Sequence, residues 1–399
     1  MMATLLEIPL LVAVTVFTGY LTVLTSAALV AGLRRKPTGA VPAPRHRFAV
    51  VIPAHNESRT LPALLGRLQE IAYPRELYEV VVVADHCTDS TATLARAGHA
   101  RVIECTEGAR GGKGLALGSA FAALLAENRH DAFVILDADS DPAPTLLAAF
   151  DRELQRGARA LQGYCKIGNP HESWRTALMA ADLALVHLLR PLGKQELGSS
   201  AGLQGNGACL TRAALRQVAW QTRSVAEDHE YHVRLVLAGV KVRFVPDAEV
   251  ATVMEPTLEA AHGQELRWEG GRFEVARAHA PALLGAAVAR RSWPCLDAAL
   301  DLTIPPFALL GAGTAVMASL HTILWIVGGS GVPAVLWATL LLGQTFYVIA
   351  GCVLARVPAR TYLALVLFAP RYALSKVAIC ARVARGGTPE WTPTVRRAT

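Results

Sequence analysis

The residues best suited to do chemistry in this chain are carboxylates that follow an apolar run. Residues 133–136 have the length and bulk of a strand buried on both faces, and Asp137-Ala138-Asp139 comes directly after them. Because side chains alternate along a strand, Asp137 and Asp139 point the same way where the strand leaves its sheet. Two carboxylates held together there favour a hard divalent cation that bridges to a substrate diphosphate. Taken alone, the pattern is equally typical of a solvated acidic turn after a strand.

Further carboxylates follow the neighbouring predicted strands. Glu57 comes after the apolar run 48–53, and Asp85 ends the apolar run 79–84. Strands that alternate with helices predict an α/β domain with a mostly parallel sheet and right-handed crossovers, an architecture common among nucleotide-binding proteins. In open α/β sheets, ligands bind outside the carboxyl ends of the strands, which is where these carboxylates are expected.

A glycine-rich segment, residues 108–114, opens the next predicted helix and carries Lys113. It is not a Walker A loop, because Glu107 and Gly114 stand where that motif needs Gly and then Ser or Thr. It is not a dinucleotide fingerprint either, since it does not follow the first strand of the fold. A lysine at a helix N-terminus near the strand ends still suits the ribose or phosphates of a nucleotide.

Two more acidic residues follow in the less regular part of this region. Glu227 and Asp228 begin a predicted helix, where acidic side chains are also ordinary complements to the helix dipole. Residues 173–189 predict a helix with an apolar face, and residues 203–210 predict a strand interrupted by Gly205-Asn206-Gly207. Paired glycines of this kind permit close approach of the backbone to a ligand.

The apolar residues concentrate at the two ends of the chain and indicate membrane helices. Residues 1–36 predict a transmembrane helix and not a signal peptide, because Arg34-Arg35-Lys36 follows the apolar run instead of preceding it. Residues 301–355 predict two further spans joined by a charge-free turn. Another span would push the basic C-terminal tail outside the cell, so residues 356–399 predict an interfacial or re-entrant helix with a basic tail.

The remaining segments complete a layout of five parts. Residues 256–300 predict basic amphipathic helices of the membrane interface, where Trp and Arg are also ordinary anchors. Residues 45–255 contain the alternating strands and helices and form the predicted α/β domain. Since basic residues cluster beside the apolar segments, the positive-inside rule predicts a cytoplasmic domain at the inner or plasma membrane, in contact with anionic lipids.

Charge and cysteine usage argue against two classes of site. The formal net charge of +7 comes with no basic strip interleaved with aromatic residues, so no nucleic-acid site is indicated. The seven cysteines are scattered and include no Cys-x-x-Cys pair. They are expected to be free thiols of a cytosolic domain and its membrane helices, and not disulfides or a zinc site.

Five motifs, in this order, resemble the family 2 glycosyltransferases, which have a GT-A fold. More narrowly, they resemble the membrane-embedded synthases of cellulose, chitin, hyaluronan and poly-N-acetylglucosamine. The resemblance covers residues 48 to about 272 and the arrangement of the flanking helices. The motifs are Val-Ile-Pro-Ala-His-Asn-Glu at 51–57, Asp85, Asp137-Ala138-Asp139, Glu227-Asp228, and the Gln-x-x-Arg-Trp motif from Gln264 to Trp268.

The resemblance implies an inverting, metal-dependent transfer of a sugar from a nucleotide-diphospho-sugar, expected to be UDP-linked, to a growing polysaccharide. Asp228, with Glu227 beside it, is implied to be the general base on the acceptor hydroxyl. Asp137 and Asp139 are implied to hold Mg²⁺ or Mn²⁺. The residues implied to bind the donor or stack on a sugar are Glu57, Asp85, Lys113, Asp137, Gln264, Arg267 and Trp268.

Two other interpretations stay open. A transferase that adds a single sugar to a lipid, as ceramide and hopanoid-lipid glycosyltransferases do, has similar motifs. A non-catalytic scaffold is less consistent with the sequence, because it would have no reason to keep Asp137, Asp139 and Asp228 together. Ala226, where many synthases have Thr, and the Gly205-Asn206-Gly207 segment depart from the commonest pattern and leave the acceptor more open than the donor. The expected partners are a nucleotide-sugar donor, a polysaccharide or lipid-linked acceptor and membrane lipids, without nucleic acid.

Overall fold

The computed structural model of the chain describes residues 2–34, 42–106 and 112–386, without the side chains of residues 2–6. Its strands are β1 (Phe48–Ala54), β2 (Tyr78–Asp85), β3 (Arg101–Cys105), β4 (Ala132–Ile135), β5 (Ser140–Pro142), β6 (Ala160–Ile167), β7 (Ala208–Thr211) and β8 (Val242–Thr252). Its helices are α1 (Met2–Arg34), α2 (Leu61–Gln69), α3 (Thr91–Ala97), α4 (Gly112–Glu127), α5 (Leu146–Gln155), α6 (Trp174–Ala184), α7 (Arg190–Glu196), α8 (Arg212–Gln217), α9 (Glu227–Leu237), α10 (Leu258–Ala289), α11 (Trp293–Thr303), α12 (Phe307–Ile326), α13 (Gly331–Leu354) and α14 (Ala359–Ala384).

The strands form one sheet in the order β3-β2-β1-β4-β7-β6-β8-β5. β1 pairs in parallel with β2 and β4, β2 with β3, and β6 with β8. β7 runs antiparallel to β4 and β6, and β5 runs antiparallel to β8. The predicted α/β class with a mostly parallel sheet is confirmed, and the parallel half brings the carboxyl ends of β1, β2 and β4 to one edge.

Alternating apolar side chains along the parallel strands create a core on each face of the sheet. In β1, Val50 and Ile52 belong to the core that contains Leu64 of α2, whereas Val51 belongs to the core that contains Phe121 of α4. All of these side chains are buried. Helices therefore cover both faces, and the edge at the strand ends is where a ligand can reach the sheet.

The antiparallel part of the sheet differs from the sequence expectation. β7 begins only at Ala208, so Gly205-Asn206-Gly207 lies in a loop and the predicted strand 203–210 is wrong at its start. Gly205 and Gly207 have φ of +70° and +65°, which are left-handed conformations outside the range of a strand. The short strand β5 was not predicted, because three residues without an apolar run carry no strand pattern.

One long helix lies between the sheet and the N-terminal apolar helix α1. It extends from Trp174 to Glu196 through α6, a π-helical segment (Leu185–Leu189) and α7, past the predicted end at residue 189. Although it is apolar enough to cross a membrane, 78% of its most apolar stretch is buried inside the protein. Leu185 and Leu189 share a core with Leu24 of α1. Its apolar composition is therefore explained by burial within the protein.

Five helices of the described chain are long and apolar enough to cross a membrane: Glu7–Arg34, Trp174–Glu196, α12, α13 and α14. Where α1, α12 and α13 meet, Gln344 Nε2 donates to the hydroxyls of Thr18 and Thr314, both at 3.0 Å. Polar bonds of this kind join helices within a bilayer. The buried Gln344 side chain therefore fills the space at the centre of these three helices.

The C-terminal helix α14 packs on α10, the helix that carries the Gln-x-x-Arg-Trp motif. Lys376 of α14 lies 2.9 Å from Glu269 and 3.2 Å from Glu265. α14 is one continuous helix that contacts α10, and it is also apolar enough to cross a membrane. The five predicted segments and their membrane topology stay predictions. Arg35-Lys36, residues 108–111 of the glycine-rich segment and the basic tail 387–399 lie outside the described residues.

The contact between α1 and α7 leaves no room for a side chain at Gly193. A Cβ at that position would lie 2.3 Å from the carbonyl oxygen of Leu24. We expect Gly193→Ala to lower the free energy of unfolding by about 1–3 kcal/mol, because a backbone must move to relieve the overlap. Gly19→Ala on α1, where a Cβ would meet nothing within 4 Å, is the matched control. Thermal unfolding in one detergent compares the variants, and equal melting temperatures for Gly193→Ala and the parent would contradict this packing.

Candidate active site

A cavity of about 1100 Å³ opens at the carboxyl ends of β1, β2 and β4. Strand ends position some of its functional side chains. The first turns of α4 and α9 and the first third of α10 position the others. The structure brings every candidate site residue from the sequence to this one cavity: Glu57, Asp85, Lys113, Asp137, Asp139, Glu227, Asp228, Gln264, Arg267 and Trp268. The chemical role of each stays a prediction.

A lysine between two carboxylates forms the charged centre of the cavity. Lys113, in the first turn of α4, lies 2.6 Å from Asp137 Oδ1 and 3.5 Å from Glu227 Oε1, and it donates to the Gly205 carbonyl at 3.3 Å. Burial works to lower the pKa of Lys113, but the charges of Asp137 and Glu227 outweigh it and raise the pKa well above its usual value. The ammonium group therefore stays charged and joins the end of β4 to the start of α9.

The adjacent residues Glu227 and Asp228 have opposite electrostatic environments. Burial raises the pKa of Glu227 to about 7, with the charge of Asp228 adding to the effect and Lys113 opposing it. Burial also works to raise the pKa of Asp228, but His229, whose Nδ1 lies 3.0 Å from Asp228 Oδ1, and Lys113 hold it below its usual value. Asp228 is therefore an ionised carboxylate at neutral pH and can accept a proton.

Asn206 is a site residue whose contacts the sequence did not predict. Its Oδ1 accepts from the backbone N–H of Asp137 at 3.3 Å and from the Ser140 hydroxyl at 3.0 Å, and its Nδ2 donates to the Thr252 hydroxyl at 3.1 Å. The amide therefore ties the loop after β4 to β8. The sequence feature that could have indicated Asn206 is its position between Gly205 and Gly207. At Gly205 even a Cβ would come within 3.3 Å of both Asp228 Oδ2 and Lys113 Nζ.

Buried contacts fix the helix that carries Gln264, Arg267 and Trp268. Glu265 of α10 is 1% exposed and accepts from Arg175 Nη2 of α6 at 2.5 Å, with Arg175 fully buried. Six residues later, a Cβ on Gly271 would lie 2.9 Å from Ala226 Cβ. Ala226 immediately precedes Glu227, so α10 packs directly on the start of α9. The departure from Thr at position 226 thus suits the close packing of these two helices.

Asp85 and Glu57 line another part of the cavity, where β2 and β1 end. The Asp85 side chain is buried, with Oδ1 2.7 Å from His86 Nδ1, and its backbone carbonyl accepts from His55 Nδ1 at 2.6 Å. The Glu57 carboxylate accepts from the Thr60 hydroxyl at 2.6 Å. These contacts hold the loop after β1 against the end of β2, next to the charged centre.

The carboxylates of Asp137 and Asp139 suit a divalent cation that shares its ligands with a substrate. Within residues 2–34, 42–106 and 112–386, no group of three or more His, Cys, Asp or Glu side chains could hold a metal by itself. Mg²⁺ is usually bound through only one or two carboxylates together with substrate phosphates, and oxygen ligands also suit Mn²⁺. Two carboxylates at a cavity large enough for a diphosphate therefore fit such an ion.

The cavity continues past the predicted residues along the helix Trp174–Glu196. It reaches Asp182, His187 and Arg190 there, and Asp301 of α11 opposite them. Sequence reasoning missed these four residues because no motif contains them. The signal was the presence of ionisable residues within an apolar helix, which often marks a functional position.

The cysteines take no part in disulfides. All seven lie within the described residues and are free thiols, as expected from their scattered positions. Of these, Cys165 lines the cavity and donates through its thiol to the Asn206 carbonyl at 3.0 Å. Burial raises the pKa of this thiol to about 12, so it is a structural donor and not a nucleophile at neutral pH.

The chain is similar in sequence to several curated transferases. The chain is 26% identical over 240 residues to a beta-monoglucosyldiacylglycerol synthase of Synechocystis, covering 58% of this chain and 49% of that protein. It is 24% identical over 250 residues to a probable glucomannan 4-beta-mannosyltransferase of Arabidopsis thaliana, covering 58% of this chain and 46% of that protein. The chain thus spans about half the length of the curated relatives it matches.

A solved structure of similar shape is that of a mannosyltransferase from Pyrobaculum calidifontis in complex with GDP-mannose and Mn²⁺. The match has a TM-score of 0.48 and 21% identity, and it covers 84% of this chain and 98% of that one. The model of the family described as "Glycosyltransferase like family 2" matches residues 44–271, which is more than half of the 399 residues. With this match and a GT-A architecture around one cavity of acidic and basic residues, the chain belongs to glycosyltransferase family 2.

Proposed function

We propose that this protein transfers a sugar from a nucleotide-diphospho-sugar, with a UDP-sugar as the expected donor, to a hydroxyl of a growing polysaccharide at a membrane. The observation that carries the proposal is the convergence of Asp137, Asp139, Lys113, Asp228 and Arg267 in one cavity. Membrane synthases of polysaccharides have the same set of motifs, which supports the comparison with that group.

The proposed reaction is a single displacement with inversion. The oxygen of the acceptor hydroxyl forms a bond to the anomeric carbon while the bond from that carbon to the diphosphate oxygen breaks. The diphosphate leaves with the bonding electron pair, and the hydroxyl proton moves to the carboxylate of Asp228. The lowered pKa of Asp228 supports this role, because the group must be ionised before it can accept the proton.

Cationic groups of the chain face the charge that develops on the leaving diphosphate. The planar guanidinium of Arg267 can bind two phosphate oxygens in parallel, which a lysine cannot do. Lys113 keeps its charge beside Asp137 and supports the ribose or diphosphate. A Mg²⁺ or Mn²⁺ ion held by Asp137 and Asp139 would neutralise further charge on the diphosphate. Glu57 and Asp85 can accept hydrogen bonds from the ribose and base.

A lipid is a second candidate acceptor, and the packing of the membrane helices favours it. Gln344 is buried between α1, α12 and α13 and bonded to both Thr18 and Thr314, so a sugar chain could pass between these helices only by displacing it. The cavity also reaches Phe307 of α12 and Tyr372 of α14, two helices apolar enough to cross a membrane. Addition of one sugar to a lipid requires no conduit. The names of the relatives include both a glycolipid synthase and a polysaccharide-forming transferase.

The proposed location is the inner or plasma membrane, with the catalytic domain in the cytoplasm. Arg34 ends α1 and forms a 2.7 Å ion pair with Glu196 of α7, so the basic end of the first apolar helix lies against the catalytic domain. The positive-inside rule assigns that end to the cytoplasm.

A donor panel tests the proposed function. Detergent-purified full-length protein is incubated with UDP-sugars and GDP-mannose in Mg²⁺ or Mn²⁺, and the products are separated by size. We expect turnover of one donor, and loss of that turnover on addition of EDTA with recovery on excess Mn²⁺, because the carboxylates at the end of β4 would hold the ion against the diphosphate.

The product distinguishes the two acceptors. A ladder or high-mass polymer identifies a polysaccharide synthase, whereas a single glycolipid band identifies the lipid-directed transferase. Turnover that continues at an undiminished rate in EDTA would contradict the metal assignment to Asp137 and Asp139. No turnover of any donor would contradict the transferase proposal.

A further inference from the structure

The cavity is larger than one ligand requires. Its volume of about 1100 Å³ exceeds the roughly 300–1,000 Å³ typical of pockets for one small molecule. One part contains the strand ends, Lys113 and Arg267. The other part, here named the acceptor arm, is lined by Asp182, His187 and Arg190 of the helix Trp174–Glu196 and by Asp301 of α11.

The π-helical segment brings the polar residues of the acceptor arm to one face. In an α-helix, residues five apart are turned by about 140° from each other, so Asp182 and His187 would face different directions. The π segment Leu185–Leu189 contains His187 and lies between Asp182 and Arg190, and its wider turn reduces this angle. Arg190 follows His187 by three residues and continues the same face. π segments are often found at functional sites.

Side chains of the acceptor arm retain hydrogen-bonding capacity that faces the cavity. Among the described residues, no hydrogen bond or salt bridge is made to the Asp182 carboxylate, which is only partly exposed. His187 donates from Nδ1 to the Cys165 carbonyl at 3.2 Å, which leaves Nε2 as an acceptor. The arm thus offers a carboxylate and a neutral imidazole nitrogen as acceptors.

The guanidinium of Arg190, on the same helix as Asp182 and His187, is held in place from the α11 side of the arm and can donate. Arg190 Nε donates to the Tyr347 hydroxyl at 2.7 Å, and its Nη1 lies 3.4 Å from Asp301. Asp301 also lies 2.6 Å from Lys194 Nζ. Because Tyr347 and Asp301 fix the guanidinium, it presents its remaining N–H groups from a defined position.

We propose that the acceptor arm binds a sugar ring of the acceptor, with Asp182, His187 and Arg190 as the residues that recognise its hydroxyl groups. The acceptor is then a saccharide, either free or as the head group of a glycolipid, and not a bare lipid alcohol. This inference rests on the proposed transferase function and names the class of its second substrate.

The chemistry of the arm favours a sugar over a hydrocarbon chain. Adjacent hydroxyl groups of a sugar each donate and accept, so they can satisfy a carboxylate, an imidazole nitrogen and a guanidinium together. An acyl chain in the same place would leave the partly buried carboxyl group of Asp182 without a hydrogen-bond partner, which is costly for a polar group. Trp268, whose side chain is exposed at the same cavity, offers a flat face to the ring.

Binding to full-length protein tests the inference without requiring turnover. The Asp228→Asn protein in detergent is titrated by calorimetry in the presence of UDP and Mn²⁺. The saccharide ligands are cellobiose, chitobiose and β-mannobiose. The lipid ligands are a monoglycosyl diacylglycerol, in micelles that contain no octyl glucoside, and diacylglycerol alone. We expect at least one saccharide or the glycolipid to bind, and Asp182→Asn added to this protein to weaken that binding about tenfold or more. His187→Gln is a second variant, and it is expected to weaken the same binding.

A matched control and a kinetic measurement separate recognition from folding. Asp131→Asn, which removes a carboxylate 2.6 Å from Arg212 outside the cavity, is expected to leave saccharide binding unchanged. With a donor that is turned over, Asp182→Asn is expected to raise the KM for the saccharide while the donor KM changes less than twofold.

The outcomes also distinguish this inference from the proposed function. Donor turnover with diacylglycerol but with no saccharide or glycolipid would overturn the inference and keep the transferase function. Saccharide binding that is the same in Asp182→Asn and in its parent would also overturn it. Saccharide binding that depends on Asp182 in a protein that turns over no donor would support the arm and contradict the transferase function.

Discussion

Asp228→Asn is expected to lower kcat by about 10²- to 10⁴-fold, the usual contribution of a general base. The substitution keeps the size of the side chain and its contact with His229, but an amide cannot take the proton of the attacking hydroxyl. The KM for the donor is expected to change little, because Lys113 and Arg267 still line the cavity. Release of the nucleoside diphosphate, followed with saturating donor and acceptor, measures the effect.

Asp131→Asn is the control for Asp228→Asn, since it makes the same chemical change outside the cavity. Its kcat is expected to equal that of the parent. Nucleoside diphosphate release at equal rates in Asp228→Asn and the parent would exclude Asp228 as the general base. A rise in the donor KM with an unchanged kcat would instead indicate a role in donor binding.

Arg175→Met is expected to be the most destabilising of the proposed substitutions, by about 3–5 kcal/mol in the free energy of unfolding. Arg175 is fully buried and bonded to Glu265, which is 1% exposed. Removal of the guanidinium leaves the carboxylate of Glu265 with Lys376 alone, at 3.2 Å. Thermal unfolding in detergent measures the loss, and turnover falls as well if the Gln264-to-Trp268 motif moves with α10.

The double variant Arg175→Met/Glu265→Gln tests whether the loss comes from the unpaired charge. It removes the guanidinium and the carboxylate together, so it is expected to be more stable than Arg175→Met alone. Arg159→Met, at an exposed arginine that bonds to Gln217, is the matched control and is expected to retain parental stability within about 0.5 kcal/mol. Equal stability of Arg175→Met and the parent would show that the buried pair does not stabilise α10.

The part of the site that local pattern predicts is the part built from strand ends. Apolar runs located β1, β2 and β4, and in a parallel arrangement their carboxyl ends meet, so Glu57, Asp85 and Asp137 were expected together. The residues of α9 and α10 were expected there only from the resemblance to a known family. No periodicity in the sequence indicates that α10 packs on Ala226.

The remaining part of the site depends on contacts between distant parts of the chain. Asn206 joins Asp137 to Thr252 only because β7 reverses direction between β4 and β6, and no local pattern indicates that reversal. His187 lines the same cavity as Asp182 from a π-helical segment, five residues further along the helix. Its apolar sequence favours a helix of either kind, so an ordinary α-helix was the natural expectation.

The close packing of α1 has a consequence for any attempt to prepare the enzyme as a soluble fragment. Tyr20 of α1 donates to Asp297 of α11 at 2.8 Å, and Leu24 shares a core with Leu189. Truncation at the start of the catalytic domain would therefore uncover the apolar side of the helix that lines the acceptor arm, and such a surface promotes aggregation. The first helix packs as a structural part of the glycosyltransferase domain, so this apolar helix and the domain are not separable modules.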